Sequence, residues 1–219
     1  YKKISEENRV RYSFITFGSN EDDKYVDLFE NLKVIPIYKY IKKSRFKYLN
    51  ILKSIFAANK LSLIIGDSHL IKTNQLNGSW LAIALKFKTK LPLYIRTGYN
   101  LFEFSVKNKK SVSVKLFHYI VTQIALLYCD LYSVTSESDK QYLKKKFYKA
   151  NNIKVIPNWI AKTTETSFEQ RYQKRILSVG RLEHQKNFKG LIKNLSNSKI
   201  HLDIVGDGSQ KDELKDLAS

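Results

Sequence analysis

The sequence lacks several residue patterns from which metal sites and nucleophilic sites are built. It contains one cysteine, Cys129, which excludes an internal disulfide and a cysteine-cluster zinc site. It has no Asp-x-Asp pair, no His-x-x-x-His spacing and no Gly-x-Ser-x-Gly motif. We therefore expect no metal and no cofactor, and we interpret Cys129 as a small buried hydrophobic residue.

Methionine and long apolar runs are also absent. Because the chain contains no methionine, we expect the native start to lie upstream of Tyr1. The most apolar stretch, residues 116–129, is shorter than the roughly 20 residues that span a bilayer, and it contains His118 and Gln123. We predict that it forms a core helix and does not span a membrane.

Acidic residues are scarce relative to basic ones. Lysine and arginine number 39 against 20 for aspartate and glutamate, which gives a formal net charge of +19. Two lysine clusters stand out: Lys107, Lys109, Lys110 and Lys115, and Lys144, Lys145, Lys146 and Lys149. An anionic membrane surface attracts such groups. Ordinary solvated faces of a lysine-rich chain explain them equally well, so both readings stay open.

Short apolar runs alternate with amphipathic segments along the chain. With 43% hydrophobic residues, the sequence has enough apolar material for a core. Strands are predicted over residues 10–17, 33–38, 61–66, 91–96, 131–135 and 154–156. Helical segments, one of them at 79–88, separate most of these strands. This order predicts an α/β fold with a mostly parallel, doubly wound sheet.

A polar segment divides the chain into two predicted domains. Residues 161–173 have no apolar periodicity, and we interpret them as an interdomain linker. The first domain then covers residues 1–160, and the second covers residues 174–219. Because a domain usually has 100 to 200 residues, we expect the second one to be truncated and the chain to be a fragment.

The start of the second domain contains a predicted phosphate-binding layout. Residues 176–179 form an apolar strand, Gly180 opens a turn, and residues 187–195 repeat apolar residues at helical spacing. Arg181 and Lys186 lie between the strand and the helix. A guanidinium binds a diphosphate through two hydrogen bonds, an ammonium adds a second positive charge, and the start of the helix adds to both.

A second predicted strand follows at residues 200–205 and ends in Gly206, Asp207 and Gly208. Glycines at such a strand end let a nucleotide approach the backbone. Because parallel strands end on the same edge of a sheet, we expect this loop to lie beside Arg181 and form part of the nucleotide site.

These motifs resemble a known family. SVGRLEHQKN, residues 178–187, and DIVGDGSQKDEL, residues 203–214, resemble the opening of the nucleotide-sugar domain in retaining glycosyltransferases of family 4. That family has the GT-B fold of two Rossmann-like domains. Its GR(L/F) arginine and the lysine five positions later bind the donor diphosphate, and Arg181 and Lys186 match them in identity and spacing.

Segments of the first domain extend the resemblance. Residues 130–136 and 153–158 resemble the family's last acceptor-domain strands, and the second of them contains the IPN segment that leads into the linker. His69 follows a predicted strand, where family members often carry a histidine that contacts the sugar. It is therefore a candidate catalytic residue, with an ordinary loop histidine as the alternative.

A third group of candidates follows the strand predicted at 91–96. Arg96, Thr97 and Gly98 would lie at the end of that strand, on the acceptor side of the site. The guanidinium of Arg96 would then bind a phosphate of the acceptor, or pair with a carboxylate of the protein.

The resemblance implies a retaining hexosyl transfer from a nucleotide-diphosphate sugar to a hydroxyl group, without a required metal. The expected acceptor is a lipid-linked saccharide of a capsule, lipopolysaccharide or exopolysaccharide, met in the cytoplasm at the inner face of the membrane. Family members also carry a Glu-rich motif that contacts the donor, and this sequence lacks it. We therefore expect the 219 residues alone to be inactive.

Two other functions are weighed against this one. The GT-B fold also serves sugar-nucleotide epimerases, which require carboxylates and histidines around the site, and His69 is the one suitable candidate. A basic nucleic-acid-binding module would explain why aromatic and basic residues alternate at 45–48 and 146–149. Their helical spacing favours core packing, and we expect no nucleic-acid partner.

Overall fold

The computed structural model describes residues 10–25, 32–158 and 172–218. The chain divides into two compact units, Tyr1–Trp159 and Ile160–Ser219. The predicted linker at 161–173 lies outside the described residues except at its last two positions. Every strand pair that the structure describes is parallel, which confirms the predicted α/β class.

The strands of the first unit form two parallel sheets. They are β1 (Tyr12–Thr16), β2 (Leu32–Pro36), β3 (Ile71–Thr73), β4 (Leu93–Arg96), β5 (Leu131–Val134) and β6 (Ile153–Val155). β1 pairs with β2, and the other four strands form one sheet in the order β3-β4-β5-β6. The second sheet is fully buried at its centre, where Leu93 and Ile95 are inaccessible to solvent.

Five helices lie among the described residues of this unit. They are α1 (Lys47–Ile64), α2 (Ser79–Thr89), α3 (Leu101–Lys107), α4 (Val112–Tyr128) and α5 (Glu137–Lys146), with short 3₁₀ turns at Asn20–Tyr25 and Ile37–Lys39. Side chains cap two of the helices: Asn100 accepts from the first-turn amides of α3, and Ser136 accepts from the Asp139 amide. These caps satisfy amides that have no partner within their own helix.

The strand predicted at residues 61–66 is wrong, because α1 extends through Ile64. Leu61 and Ile65 are buried while Leu63 is 85% exposed, which is the period of a helix. A strand would have placed all three on one face. A short segment with four apolar residues in five fits both structures, and here the preceding helix continues through it as far as Ile64. The strand of this region is β3, which the sequence reading missed.

The apolar stretch at 116–129 is also different from its prediction. It belongs to α4, and only one side of this helix packs in the core, through Thr122, Ala125 and Leu126. The opposite side is apolar and exposed, with Leu116 56% accessible. The prediction of a helix is confirmed, and the prediction that it is a core helix holds for one face. Among the described residues, no helix has the length and apolarity needed to span a bilayer.

The aromatic residues that alternate with basic ones are split between core and surface. Phe147 is buried, as its spacing indicated, whereas Phe46, Tyr48 and Phe56 are more than half exposed. α1 instead buries small residues, Ser54, Ala57 and Ala58, against α2. Small side chains let two helices approach closely, so the larger aromatic residues are left on the outer side of α1.

Residues 172–218 of the second unit contain one pair of parallel strands and two helices. Its elements are β7 (Arg175–Val179), a 3₁₀ turn (His184–Lys186), α6 (Phe188–Leu195), β8 (His201–Val205) and α7 (Lys211–Ala218). Leu182, Phe188 and Leu214 form its small core. An ion pair of 2.5 Å joins Arg175 to Asp203 across the two strands. β7, α6 and β8 agree with the two strands and the helix predicted there.

Cys129 is buried at the end of α4, as predicted. Burial raises the pKa of its thiol to about 11, so the reactive thiolate is scarce at neutral pH. The residue therefore acts in packing.

Asp130 joins three elements of the first unit and supports a stability prediction. Its Oδ2 accepts from Lys86 Nζ of α2 at 2.5 Å and from the Leu93 amide at the start of β4 at 2.6 Å. The lysine, followed by the amide, holds the pKa of Asp130 below its usual value. A lowered pKa means that the stabilisation is present above pH ~4 and is lost as pH falls through the folded-state value.

We expect Asp130→Asn to lower the free energy of unfolding at neutral pH by about 1 kcal/mol, a value reduced for solvent exposure. Urea unfolding at neutral pH and at about pH 3 would measure this, and the difference from wild type should shrink at the lower pH. Glu137→Gln, which removes an exposed ion pair with Lys140, is the matched control and should cost less. A loss for Asp130→Asn that does not change with pH would contradict the role of the charge.

Candidate functional site

The candidate donor site lies where β7 and β8 end. The two strands pair in register from Arg175 and His201 to Val179 and Val205. The Gly180 amide then donates to the Val205 carbonyl at 3.0 Å, which continues the ladder by one bond. Both loops therefore leave the same edge of the sheet, as the sequence predicted.

Hydrogen bonds connect the two loops beyond the strands. The Leu182 amide donates to the Asp207 carbonyl, and the Gln210 amide donates to the Leu182 carbonyl, both at 2.9 Å. Glu183 accepts from the amide and the hydroxyl of Ser209 at 3.2 and 2.9 Å. These bonds hold the pKa of Glu183 below its usual value, and the nearby Arg181 adds to the effect. The two loops thus form one hydrogen-bonded structure.

Arg181 and Lys186 lie on this structure with exposed side chains. The side chain of Lys186 passes close to Gly180, since a Cβ atom built on that glycine would lie 3.8 Å from Lys186 Cε. Within residues 172–218, no carboxylate lies at ion-pair distance from either cation. Two positive charges near one turn, without a protein counter-ion in this part of the chain, suit a dianionic ligand.

The glycines of the second loop have a structural explanation that the sequence reading did not give. A Cβ atom on Gly206 would lie 1.9 Å from the Gly180 carbonyl oxygen, and one on Gly208 would lie 2.6 Å from the Leu182 carbonyl oxygen. We expected these glycines to admit a nucleotide. The structure shows that they admit the backbone of the first loop, because the two loops pack too closely for any side chain.

Asp207 is placed differently from the glycines beside it. Its Oδ1 accepts from the Gly208 amide at 2.8 Å and lies 3.5 Å from Lys211 Nζ at the start of α7. The amide, then the lysine, keeps its pKa below the usual value. A carboxylate is stabilised at a helix N-terminus, so its contacts are those of a residue that orders the loop.

A shallow depression lies next to this site on the second unit. Its lining consists of His184, Asn187, Lys189, Gly190, Lys193 and Gln210. Lys189 is already paired with Glu213. Because the lining includes neither Arg181 nor Lys186, the depression is a separate feature of the α6 surface.

His69 was expected to follow a strand, and the structure places it before one. It lies in the loop between α1 and β3, two residues before the strand begins. β3 pairs in parallel with β4, starting from Ile71 opposite Leu93, so His69 lies at the amino edge of the sheet. The candidate Arg96 lies at the carboxyl edge. The strand expected before His69 is absent because residues 61–64 are helical, so His69 precedes a strand instead of following one.

Arg96 and its neighbours lie at the carboxyl edge of the four-stranded sheet. Arg96 Nη2 donates to Asn158 Oδ1 at 2.8 Å, which fastens the IPN segment to the end of β4. Gly98 accepts from the Thr135 hydroxyl, at the end of β5, at 3.3 Å. Thr97 is buried, and its amide and hydroxyl both donate to the Ser133 carbonyl. Of the three predicted residues, Arg96 therefore has a side chain suited to ligand binding, while Thr97 is committed to the sheet.

Polar residues that the sequence reading did not select lie on elements that begin or end at this edge. Thr73 ends β3, Ser79 begins α2, and Asn100 caps α3. Thr73 Oγ1, Ser79 Oγ and Asn100 Nδ2 are buried and have no hydrogen-bond partner among the described residues. Buried polar atoms without partners are costly, and they recur where a ligand or water completes the bonding. The polar loop after the short strand β3 is the feature of the sequence from which they could have been predicted.

Comparison with known proteins relates these features to a family. The family model described as Glycosyl transferases group 1 matches residues 162–219. The amylovoran biosynthesis glycosyltransferase AmsD of Erwinia amylovora is 39% identical over 90 residues, which cover 37% of this chain and 25% of AmsD. These matches support a relationship to the group 1 glycosyltransferases.

Solved structures show the same fold at low sequence identity. The lipopolysaccharide outer core galactosyltransferase WaaB matches with a TM-score of 0.65 at 17% identity, over 98% of this chain and 57% of that one. HepE of Anabaena, solved with UDP and glucose, matches with a TM-score of 0.64 at 17% identity, over 98% and 59%. The α/β architecture with parallel sheets is thus that of GT-B glycosyltransferases, and this chain spans somewhat more than half the length of both.

Loop packing in the second unit leads to a paired stability prediction. Gly206→Ala should lower the free energy of unfolding of this unit by about 1 to 3 kcal/mol, because the new methyl group meets a backbone carbonyl that cannot move freely. Gly180→Ala is the control from the same site, since its Cβ atom would make an ordinary contact of 3.5 Å with Phe188. Thermal unfolding measures both variants. Equal melting temperatures for the two would show that the loops do not pack as described.

Proposed function

We propose that the chain is part of a retaining glycosyltransferase that moves a hexosyl unit from a nucleotide-diphosphate sugar to a hydroxyl group. The observation that carries this proposal is the pair Arg181 and Lys186 at the end of β7. Both cations are exposed and have no carboxylate partner within the described residues 172–218. The family match over the same residues supports it.

The proposed chemistry is electrostatic stabilisation of the leaving group. As the glycosidic bond to the donor breaks, negative charge grows on the departing diphosphate. Arg181 would bind it through two hydrogen bonds, and Lys186 would add a second positive charge. Since the hydrogen-bonded loops fix the backbone at Gly180 and Leu182, the arginine is carried on a rigid support. No metal is assigned to this step.

The acceptor side is proposed to lie at the carboxyl edge of β3, β4 and β5. Arg96 would bind an anionic group there, and a lipid-linked saccharide supplies one in its diphosphate. The hydrogen bond that Arg96 Nη2 donates to Asn158 Oδ1 fixes one nitrogen of the guanidinium and leaves other donors for a ligand. The Thr73 and Ser79 oxygens, which have no partner among the described residues, lie on elements that meet this edge and would be further contacts.

The named relatives support the class of product. AmsD is an amylovoran biosynthesis enzyme, and WaaB is a lipopolysaccharide outer core galactosyltransferase. We propose a cell-surface polysaccharide for this protein too, made in the cytoplasm on the inner face of the membrane. Because the matched residues cover only a quarter of AmsD, we propose that activity requires the full-length protein.

An epimerase is less well supported. That reading depended on His69 as a residue of the sugar site, and His69 lies at the opposite edge of the sheet from Arg96. A nucleic-acid module keeps one favourable observation, the exposed Phe46 and Tyr48 beside basic residues. The experiment below separates both of these functions from glycosyl transfer.

The first test is Arg181→Ala in the full-length protein. We expect kcat/KM to fall by two to three orders of magnitude, the size of effect seen when one transition-state hydrogen-bond donor is removed. Melting should remain like wild type, because the side chain is exposed. The measurements are sugar transfer in buffer with EDTA, and thermal shifts with UDP, GDP and ADP.

Lys199→Ala, which removes another exposed cation of the same unit, is the control and should behave like wild type. Wild-type activity of Arg181→Ala would refute the donor site. Salt-sensitive binding to oligonucleotides, with no shift by any nucleotide, would favour the nucleic-acid module.

Arg96→Ala in the full-length protein tests the acceptor side. We expect KM for a phosphate-bearing acceptor to rise about tenfold or more, because a charged hydrogen bond is lost, while the thermal shift with the donor nucleotide stays unchanged. Asn158→Ala is a companion variant and should show a smaller rise, since it loosens the guanidinium without removing it. An unchanged acceptor KM in Arg96→Ala would exclude this site.

A further inference from the structure

We propose that the exposed side of α4 is a docking surface for an anionic lipid bilayer. Five aliphatic side chains on this side are accessible to solvent: Val112 at 79%, Leu116 at 56%, Ile120 at 45%, Ile124 at 39% and Leu127 at 41%. Their spacing of three and four residues places them in one row along the helix. We call this row the aliphatic stripe.

The stripe is unusual for a helix that faces water. Surface helices normally carry charged and polar residues on the solvent side. α4 has a single Lys, Arg, Asp or Glu, Lys115, which is partly buried and lies off the stripe. The exposed side is thus uncharged over about four helical turns, roughly 20 Å. An exposed apolar surface of this length, interrupted by Gln123, marks an interaction site.

Basic residues flank the stripe on more than one side. Lys109 and Lys110 are exposed and directly precede the first turn of α4. At mid-helix, Gln123 accepts from the Tyr148 amide and donates to the Tyr148 carbonyl, both at 2.9 Å. These two hydrogen bonds fasten the loop after α5 beside the stripe. The lysine cluster at residues 144–149 is therefore brought next to α4, the helix that follows Lys109 and Lys110.

The fastened loop presents groups that suit a membrane interface. Tyr148 is 68% exposed, and Lys149 Nζ lies 5.3 Å from the centre of its ring. Lys144, Lys145 and Lys146 are exposed at the end of α5. An aromatic ring with a polar hydroxyl, surrounded by ammonium groups, is characteristic of side chains at the level of lipid headgroups.

Acidic residues near the stripe do not cancel this charge. Glu103 pairs with Lys107 at 2.6 Å, and Asp139 accepts from the Ser136 hydroxyl at the start of α5. Lys109, Lys110, Lys145 and Lys146 have no carboxylate partner among the described residues.

An anionic bilayer fits the aliphatic stripe and the flanking lysines better than other binding partners do. A second copy of the chain, docked stripe to stripe, would bring like-charged lysine clusters together across a two-fold axis. A nucleic acid would pair with the lysines and leave the aliphatic stripe unfilled. An anionic bilayer accepts the aliphatic side chains at the boundary of headgroups and acyl chains, and its phosphates attract the lysines. Because α4 has 17 residues, it would lie in the plane of the interface and not across the membrane.

The inference deepens the proposed function at one point, since a lipid-linked acceptor is met at such a surface. Vesicle binding is measured without any sugar substrate, so the two proposals can fail separately. Binding to vesicles without binding to any nucleotide would support the docking surface and contradict the proposed glycosyltransferase function. Binding to a nucleotide without binding to vesicles would support the proposed enzyme function and contradict the docking surface.

The test is sedimentation of the full-length protein with vesicles of phosphatidylcholine, with and without phosphatidylglycerol. We expect binding to the anionic vesicles only. The double variant Ile120→Gln with Ile124→Gln should reduce the partition coefficient at least about tenfold, because two aliphatic side chains no longer enter the interface. Lys145→Gln with Lys146→Gln should reduce it about fivefold for each lysine, and the effect should diminish at high salt.

Two controls match these variants in chemistry. Leu63→Gln changes an aliphatic side chain that is 85% exposed on α1, and Lys193→Gln with Lys199→Gln removes two exposed cations of the second unit. Both controls should bind vesicles like wild type. Melting temperature and nucleotide shift, recorded for every variant, should also stay like wild type because all positions are on the surface.

Three outcomes would overturn the proposal. The first is equal vesicle binding by the stripe variant and wild type, or an equal loss in the Leu63 control. The second is a stripe variant that dissociates an oligomer in sedimentation velocity while wild type ignores vesicles, which would assign the stripe to a second copy. The third is a lowered melting temperature in the stripe variant alone, which would show that another part of the full-length chain covers the stripe.

Discussion

Parallel strand pairing is the constraint on which both halves of this protein depend. A parallel pair sends its two carboxyl ends to the same edge, so the loops that follow must meet there. In the second unit this brings Gly180 beside Gly206, with a backbone approach that excludes any side chain at position 206. In the first unit it brings Arg96, Thr135 and Asn158 to one edge of a four-stranded sheet. Each candidate site is a consequence of this geometry.

The loop that carries Arg181 and Lys186 is held in place by the same packing. Arg181 is exposed, and the residues around it are held by backbone hydrogen bonds to the loop after β8 and by the hydrogen bonds that Glu183 accepts from Ser209. Electrostatic stabilisation is effective when the charge is in place before the reaction begins. The glycines and the carboxylates of this site therefore support the cations, and the ligand would meet the cations themselves.

The fold brings much of the positive charge of the first unit close to one helix, α4. The two lysine clusters are separated by about 35 residues in sequence, yet the bonds from Gln123 to Tyr148 place the loop of the second beside α4, which follows the first. The apolar side of α4 lies between them. A basic composition alone is compatible with ordinary solvation, whereas an uncharged helical face next to exposed lysines is a defined surface.

The sequence by itself determined the α/β class, the two parallel strands and helix around Arg181 and Lys186, and the burial of Cys129, because these depend on local periodicity and turn residues. Only the tertiary structure decided that residues 61–64 are helical, since a short apolar run suits either structure until its neighbours are known. That one change moved His69 from one edge of the sheet to the other. Burial was decided in the same way. α1 and α4 each have apolar residues on more than one side, and which side is covered depends on the partner that packs against it.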